Sequence, residues 1–152
     1  MTTSDLQQKL KDYQVPQEAI ELIQKTKVAF LVGVSGAGKD TVMKQLLATG
    51  KYHYIVSHTT RKPRENQGIL EQNGVDYHFI DLETAETMLD NQAYIEAKMY
   101  SGNIYGTSVA EIQQAYADNK VAISDIEVQG VAEYKAVAPS VGHVSSHSYR
   151  YG

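Results

Sequence analysis

Val28-Ala29-Phe30-Leu31-Val32-Gly33-Val34-Ser35-Gly36-Ala37-Gly38-Lys39-Asp40-Thr41-Val42-Met43-Lys44-Gln45-Leu46-Leu47 joins an apolar run to a helical pattern through three glycines. The order predicts a strand over 28–32, a loop, and a helix from about 39 to 48. Gly33, Gly36 and Gly38 let the backbone curl so that successive N–H groups point inward. The helix start adds its positive dipole end, and Lys39 adds a full charge. Such a concavity holds the phosphates of a nucleotide, so Gly33, Ser35, Gly36, Ala37, Gly38, Lys39, Asp40 and Thr41 are the expected triphosphate-binding residues.

One position departs from the phosphate-loop pattern. After Gly38-Lys39 the pattern calls for Ser or Thr, whose hydroxyl ligates the metal, and here stands Asp40, with Thr41 one step later. A carboxylate there either binds Mg²⁺ more strongly or repels phosphate where no metal intervenes.

Outward from this segment the chain alternates strands and helices. Residues 4 to 26 carry an apolar stripe of Leu6, Leu10, Val15, Ile20, Leu22 and Ile23 broken at Pro16, which predicts two short helices that cover a core. Strands are expected at 54–57, 77–80 and 121–125, and helices at 82–91, capped by Asp81, and from Ser108, where Ser108 and Glu111 have capping-box spacing. A further helix is expected to run to about Ala138. The alternation predicts an α/β fold with a parallel sheet flanked by helices.

The 152 residues carry a formal net charge of −4, which argues against a general nucleic-acid binder. The absence of cysteine excludes thiolate metal sites and disulfides. No apolar run approaches the ~20 residues of a membrane span, and residues 1–5 lack the pattern of a signal peptide. A soluble, cytoplasmic protein is expected, with no membrane and no nucleic-acid partner, as a monomer or homodimer.

Within this acidic chain His58-Thr59-Thr60-Arg61-Lys62-Pro63-Arg64 gathers three cations in four residues just past a strand. The alternatives are a solvated charge cluster and an anion site, and a phosphate loop in the same chain favours the anion site. Gly102-Asn103-Ile104-Tyr105-Gly106-Thr107-Ser108 offers hydroxyls at a helix start after an isolated acid, Glu96; alone it reads as a turn and an N-cap. Asp125-Ile126-Glu127 ends an apolar strand with its two carboxylates on one side. Acids at the carboxyl ends of parallel strands are candidates for metal or substrate contacts. The five histidines show no ligand spacing and are assigned no metal. Of the eleven tyrosines, Tyr77 and Tyr105 are singled out as phosphate donors.

Taken together and in order, Gly33 to Thr41, Ser57 to Arg64, Gly74-Val75-Asp76-Tyr77-His78-Phe79, Tyr94-Ile95-Glu96, Ser101 to Ser108 and Asp125 to Gly130 closely resemble the guanylate kinase family. The resemblance runs from about residue 28 to 138. It implies a phosphate-loop NTPase fold of three layers with a small inserted GMP-binding subdomain over about 58 to 107. It implies a helical extension over 1–26, a domain over 27–138, and a tail over 139–152 without the family's arginine-bearing lid, as in a shortened chain. It further implies transfer of the γ-phosphoryl group of ATP to GMP, with Mg²⁺.

By the same resemblance Arg61, Arg64, Tyr77 and Tyr105 hold the GMP phosphate. Glu96 takes the guanine N1–H and 2-amino group, Ser57 and Thr107 face O6, and Glu127 is a base-contacting acid. Lys39, Arg61, Arg64 and Asp125 carry catalysis, and Asp40 and Asp125 attend the metal. Lid arginines contribute about 10³ to 10⁵ in rate in related enzymes. The competing reading is therefore a noncatalytic module that binds GMP or a phosphorylated peptide. The connection Glu65 to Val75 is longer than the family's compact version and is expected to enlarge the loop over GMP.

Overall fold

The structure is a computed structural model that describes residues 3–32, 39–125 and 144–145. The chain divides into two compact units, one of residues 1–19 and 56–111, the other of residues 20–55 and 112–152.

The second unit is built on a parallel sheet. Its strands β1 (Val28–Val32), β2 (Tyr52–Tyr54), β9 (Val121–Asp125) and β10 (Val144–Ser145) lie in the order β10-β1-β9-β2. Strand β1 is apolar throughout and β9 opens with Val121-Ala122-Ile123, as strands buried on both faces require, and Phe30, Leu31, Ala122 and Ile123 are fully buried. The register sets Leu31 beside Asp125, so the C-terminal ends of these two strands are adjacent. Helix α3 (Lys39–Ala48) lays Val42, Met43, Leu46 and Leu47 against Leu31, Ile123, Tyr52 and Tyr54. Those helical positions recur at three and four residues, as one buried face demands.

The first unit carries a second sheet. Strands β3 (His58–Thr59), β6 (His78–Phe79), β7 (Tyr94–Tyr100) and β8 (Asn103–Ser108) lie in the order β6-β3-β8-β7. Only the β3–β6 pairing is parallel. Between β3 and β6 the chain forms a small ribbon, β4 (Glu65–Asn66) with β5 (Ile69–Leu70). The core of the unit is Leu6, Ala85, Leu89, Tyr94 and Ile104, joined by Leu10, Ile80, Met88, Ala97 and Met99.

Helix α1 (Thr3–Asp12) belongs to this core, as its apolar stripe predicts, and ends before Pro16, with α2 (Gln17–Lys25) following. Lys9 Nζ reaches Glu86 at 3.2 Å and Asp90 at 2.8 Å on α4 (Leu82–Asp90). The Tyr13 hydroxyl donates to the Tyr94 carbonyl and accepts from the Tyr94 N–H at 2.9 Å. A single phenol thus satisfies both backbone groups of Tyr94.

Several expected elements differ in extent. The strand expected over 54–57 ends at Tyr54, because the Val56 N–H goes to the Glu111 carboxylate at 2.8 Å instead of to a neighbouring strand. Residues 94–108 form a two-stranded hairpin, although 102–108 taken alone read as a turn and an N-cap. Asp81 caps α4 by accepting from the Thr84 N–H at 2.8 Å, and α5 (Val109–Ala117) begins as predicted. Ser108 Oγ accepts from the Glu111 N–H at 3.3 Å, one half of the capping box. The helix expected to run to Ala138 lies outside the described residues.

Candidate active site

The hairpin β7–β8 aims the first group of side chains. Tyr94 pairs with Ser108 but Glu96 with Thr107, so two residues of β7 face one of β8. This bulge sends Tyr94 and Glu96 to opposite faces although they are two apart, where a regular strand would put them on one. Tyr94 goes into the core with no exposure. Glu96 goes to the face of Tyr105 and Thr107, where Thr107 Oγ1 donates to Glu96 Oε1 at 2.9 Å.

Gly106, between Tyr105 and Thr107, faces the core. A Cβ there would lie 2.6 Å from Tyr94 Cε1 and 2.8 Å from the Glu96 carbonyl oxygen, so only glycine fits. Burial pushes the Tyr94 hydroxyl up to about 12. Among the described residues its oxygen has no hydrogen-bond partner.

Strand β3 delivers the second group. Thr60 is stitched to β8 by its N–H to the Ile104 carbonyl at 3.1 Å and by its hydroxyl, which accepts from the Ile104 N–H at 2.9 Å. The next residue, Arg61, therefore emerges at a fixed place, and its N–H is held by Thr59 Oγ1 at 3.1 Å. Its side chain is only 9% exposed. It lies 5.2 Å from the centroid of Tyr77. Tyr77 in turn meets Tyr105 edge to face at 6.0 Å.

The loop that brings Tyr77 here is closed by its own polar groups. Asp76 Oδ2 accepts from the Gln72 N–H at 2.7 Å, Asn73 Oδ1 from the Phe79 N–H at 2.9 Å, and Gly74, at φ 80°, donates to the Tyr77 carbonyl at 2.8 Å.

One member of this group escapes sequence reasoning. Glu71 binds Arg61 through both oxygens, Oε1 to Nη1 at 2.8 Å and Oε2 to Nη2 at 3.2 Å. Its Oε1 also accepts from the Arg64 N–H at 2.7 Å. Hydrogen bonding to Glu71 raises the Arg61 pKa against the effect of burial, with the Tyr105 hydroxyl adding to the rise, and Arg61 in turn holds the Glu71 carboxyl below its ordinary range. Nothing in the sequence distinguishes Glu71 from Glu65 as the partner, because both sit in one polar stretch.

Arg64, by contrast, is exposed and anchored at its backbone. Ser57 is half-buried and gives its carbonyl to the His78 N–H at 2.8 Å. A second polar cluster in the same unit stacks His58 on His78, ring centroids 4.5 Å apart, with His78 Nε2 3.6 Å from Glu111.

Thus Arg61, Tyr77 and Tyr105 form one group and Glu96 and Thr107 a pair, all linked to strands of one sheet. In the other unit, Asp40 and Thr41 lie exposed in the first turn of α3, and Asp125 ends β9. Of the two acids expected at a metal, Asp40 is exposed, and a carboxylate is a hard oxygen donor of the kind a magnesium ion takes. Among the described residues no cluster of three or more His, Asp or Glu could hold a metal by itself. A lone carboxylate of this kind suits an ion that takes its remaining ligands from phosphate and water. No helix of the described residues is long and apolar enough to cross a membrane. Gly33, Ser35, Gly36, Ala37, Gly38 and Glu127 lie outside the described residues, as do the side chains of Lys39 and Asp125.

A family model described as guanylate kinase matches residues 25–145. The chain is 43% identical over 114 residues to the guanylate kinase of Schizosaccharomyces pombe, covering 74% of this chain and 54% of that one. It is 42% identical over 108 residues to the human guanylate kinase, covering 70% and 53%. The crystal structure of guanylate kinase from Anaplasma phagocytophilum superposes with a TM-score of 0.57 at 24% identity, over 79% of this chain and 57% of that one, a likeness of fold. The chain spans about half the length of the curated relatives it matches.

Proposed function

Since the chain belongs to the guanylate kinase family, we propose that it binds ATP and GMP and transfers the γ-phosphoryl group between them, giving ADP and GDP. The observation that carries the reading is the pairing, on strands of one sheet, of a carboxylate held by a hydroxyl with a buried guanidinium set against two phenols.

In this reading Glu96 accepts the N1–H and 2-amino group of guanine, with Thr107 holding the carboxylate in place and, with Ser57, facing O6. Adenine offers neither proton at those positions. A half-buried carboxylate facing it would gain no such partners, and a site built for hydrogen bonds discriminates most strongly in that way. Arg61, Arg64, Tyr77 and Tyr105 take the monophosphate, whose charge and planar sets of oxygens suit the arginine fork. Glu127 is assigned to the base as well.

On the other unit, the backbone amides of 33–38, the start of α3, Lys39 and Thr41 take the ATP phosphates. Asp40 and Asp125 would hold Mg²⁺, which when bound offsets the charge gathered on the phosphates during transfer. The protein's own part is positioning and electrostatic stabilisation, because phosphoryl transfer asks for little covalent help.

The test is ADP release with ATP, Mg²⁺ and each of GMP, AMP, CMP and UMP, together with calorimetric binding of each monophosphate. The expected result is a strong preference for GMP in both. GMP and AMP bound and turned over alike would sink the reading. GMP binding without ADP release would favour the noncatalytic module.

A further inference from the structure

Glu71 stands where a phosphate would be expected to compete with it, and the pattern of its bonds decides which of two opposite roles it has. A guanidinium carries five N–H donors and presents two forks, one across Nη1 and Nη2 and one across Nε and Nη2. Glu71 occupies the first, at 2.8 and 3.2 Å. The remaining Nη1 proton goes to the Lys62 carbonyl at 3.0 Å. Neither bond uses the Nε–H or the second Nη2–H, and these make up the fork that matches two phosphate oxygens side by side.

The carboxylate therefore fixes the rotation of the guanidinium and leaves the second fork to the Tyr105 hydroxyl, itself assigned to the phosphate, and to an incoming anion. The Tyr77 ring, 5.2 Å from the guanidinium carbon, limits its movement out of plane. Because Oε1 also takes the Arg64 N–H at 2.7 Å, the same oxygen fixes where the second arginine leaves the backbone. With Glu71 only 12% exposed and Arg61 9%, the pair is sheltered from the water that makes surface ion pairs weak.

We propose that Glu71 is a positioning residue for the acceptor's phosphate, acting through Arg61 and the Arg64 backbone, and not a competing anion that the phosphate must displace. The proposal rests on the GMP reading above. It assigns to the middle of the long 65–75 connection a part in recognition, with the ribbon β4–β5 as the excursion that the chain makes before Glu71 returns to the arginines.

The two roles predict opposite signs. Calorimetric titration with GMP and with guanosine, on the wild type and on Glu71→Gln, separates them. The amide keeps the volume but loses the charge and turns a donor toward the guanidinium. Positioning predicts about a tenfold loss of GMP affinity, the scale of one hydrogen bond to a charged group, with guanosine affinity unchanged and the thermal midpoint still showing a folded protein. In an Arg61→Gln background the second change should cost much less, because only the contact with the Arg64 N–H is then left for Glu71 to act through.

Tighter GMP binding in Glu71→Gln overturns the proposal in favour of a displaced anion. An equal loss for GMP and guanosine overturns it in favour of a merely structural role. Wild-type protein that binds GMP no better than guanosine overturns the phosphate-site reading and this one with it. Should the amide variant fail to fold, Glu71→Asp, which keeps the charge one methylene short, reads the same GMP-to-guanosine ratio.

Discussion

Two hairpins in the first unit use the same turn and come to opposite ends. In β4–β5 the turn residues Gln67 and Gly68 have φ of 52° and 81°, and in β7–β8 Ser101 and Gly102 have 49° and 80°. Both are two-residue loops with φ positive at each central position, the geometry that matches the twist of paired strands. Yet Ile69 and Leu70 of the first ribbon are 71% and 58% exposed, whereas Ile104, Gly106, Thr107 and Ser108 of the second hairpin are buried. Turn chemistry makes a hairpin, but packing decides whether the hairpin can hold a side chain to a fraction of an ångström. Glu96 and Thr107, proposed above to read the base, stand on the packed one, and the exposed ribbon lies between Arg64 and Glu71.

The contrast is broken most directly by trimming one apolar residue in each hairpin. Ile104 is 1% exposed in the core of its unit, so Ile104→Ala should cost about 3 kcal/mol, the removed burial plus the cavity left behind. Ile69→Ala removes a side chain already in water and should stay within about 0.5 kcal/mol of wild type. Urea denaturation of the two variants measures both. Equal losses would mean that the ribbon is packed as firmly as the hairpin.

A finer comparison uses one glycine from each. Gly106→Ala drives a Cβ into the Tyr94 ring and the Glu96 carbonyl. The backbone of β7 or β8 must shift, at a cost of about 2 kcal/mol. The shift moves Tyr105 and Thr107, so GMP binding should weaken with stability. Gly68→Ala meets nothing within 4 Å but must hold φ at 81°, which costs about 1 kcal/mol through conformation alone. Its effect on GMP binding should be small, because the ribbon's turn carries no site residue. Comparable losses of GMP affinity in the two variants would contradict the division of labour between the hairpins.

The same contrast explains what could be seen in the sequence. Strands β1 and β9 and helix α3 announce themselves, because full burial writes a continuous apolar run and one-sided burial a three-to-four period. The hairpin β7–β8 is obscured by its bulge, which breaks the alternation of Tyr94, Ile95 and Glu96 at the point where it re-aims Glu96. The dipeptides Gln67-Gly68 and Ser101-Gly102 were the available signals. Arg61, Tyr77, Glu96, Tyr105 and Thr107 could be singled out because they lie in the motifs that carry the family resemblance. Glu71 could not, because its role comes from where a six-residue excursion returns, and the return is set by folding of the ribbon and not by spacing.

Acid should separate the two hairpins by pH. His58 on β3 pairs with Gly106 of β8. Burial first, and then the neighbouring His78, lower its pKa to about 4, with Glu111 acting in the opposite sense. A histidine whose folded pKa lies below its ordinary 6.5 stabilises the fold above 6.5, because the unfolded chain takes up the proton first. That contribution fades as the pH falls from about 6.5 through 4. The clasp of Glu71 on Arg61 is stabilising above the ordinary glutamate pKa of 4.5 and is lost only as the pH falls through the lowered folded value. The thermal midpoint should therefore decline by a few degrees between pH 6.5 and 4.5, before the carboxylate titrates. His58→Gln should flatten that decline and leave the steeper loss below 4.5 in place. An unchanged slope in the variant would move the acid sensitivity away from β3 and β8, and with it the claim that the buried hairpin is the one that feels the mildest acid first.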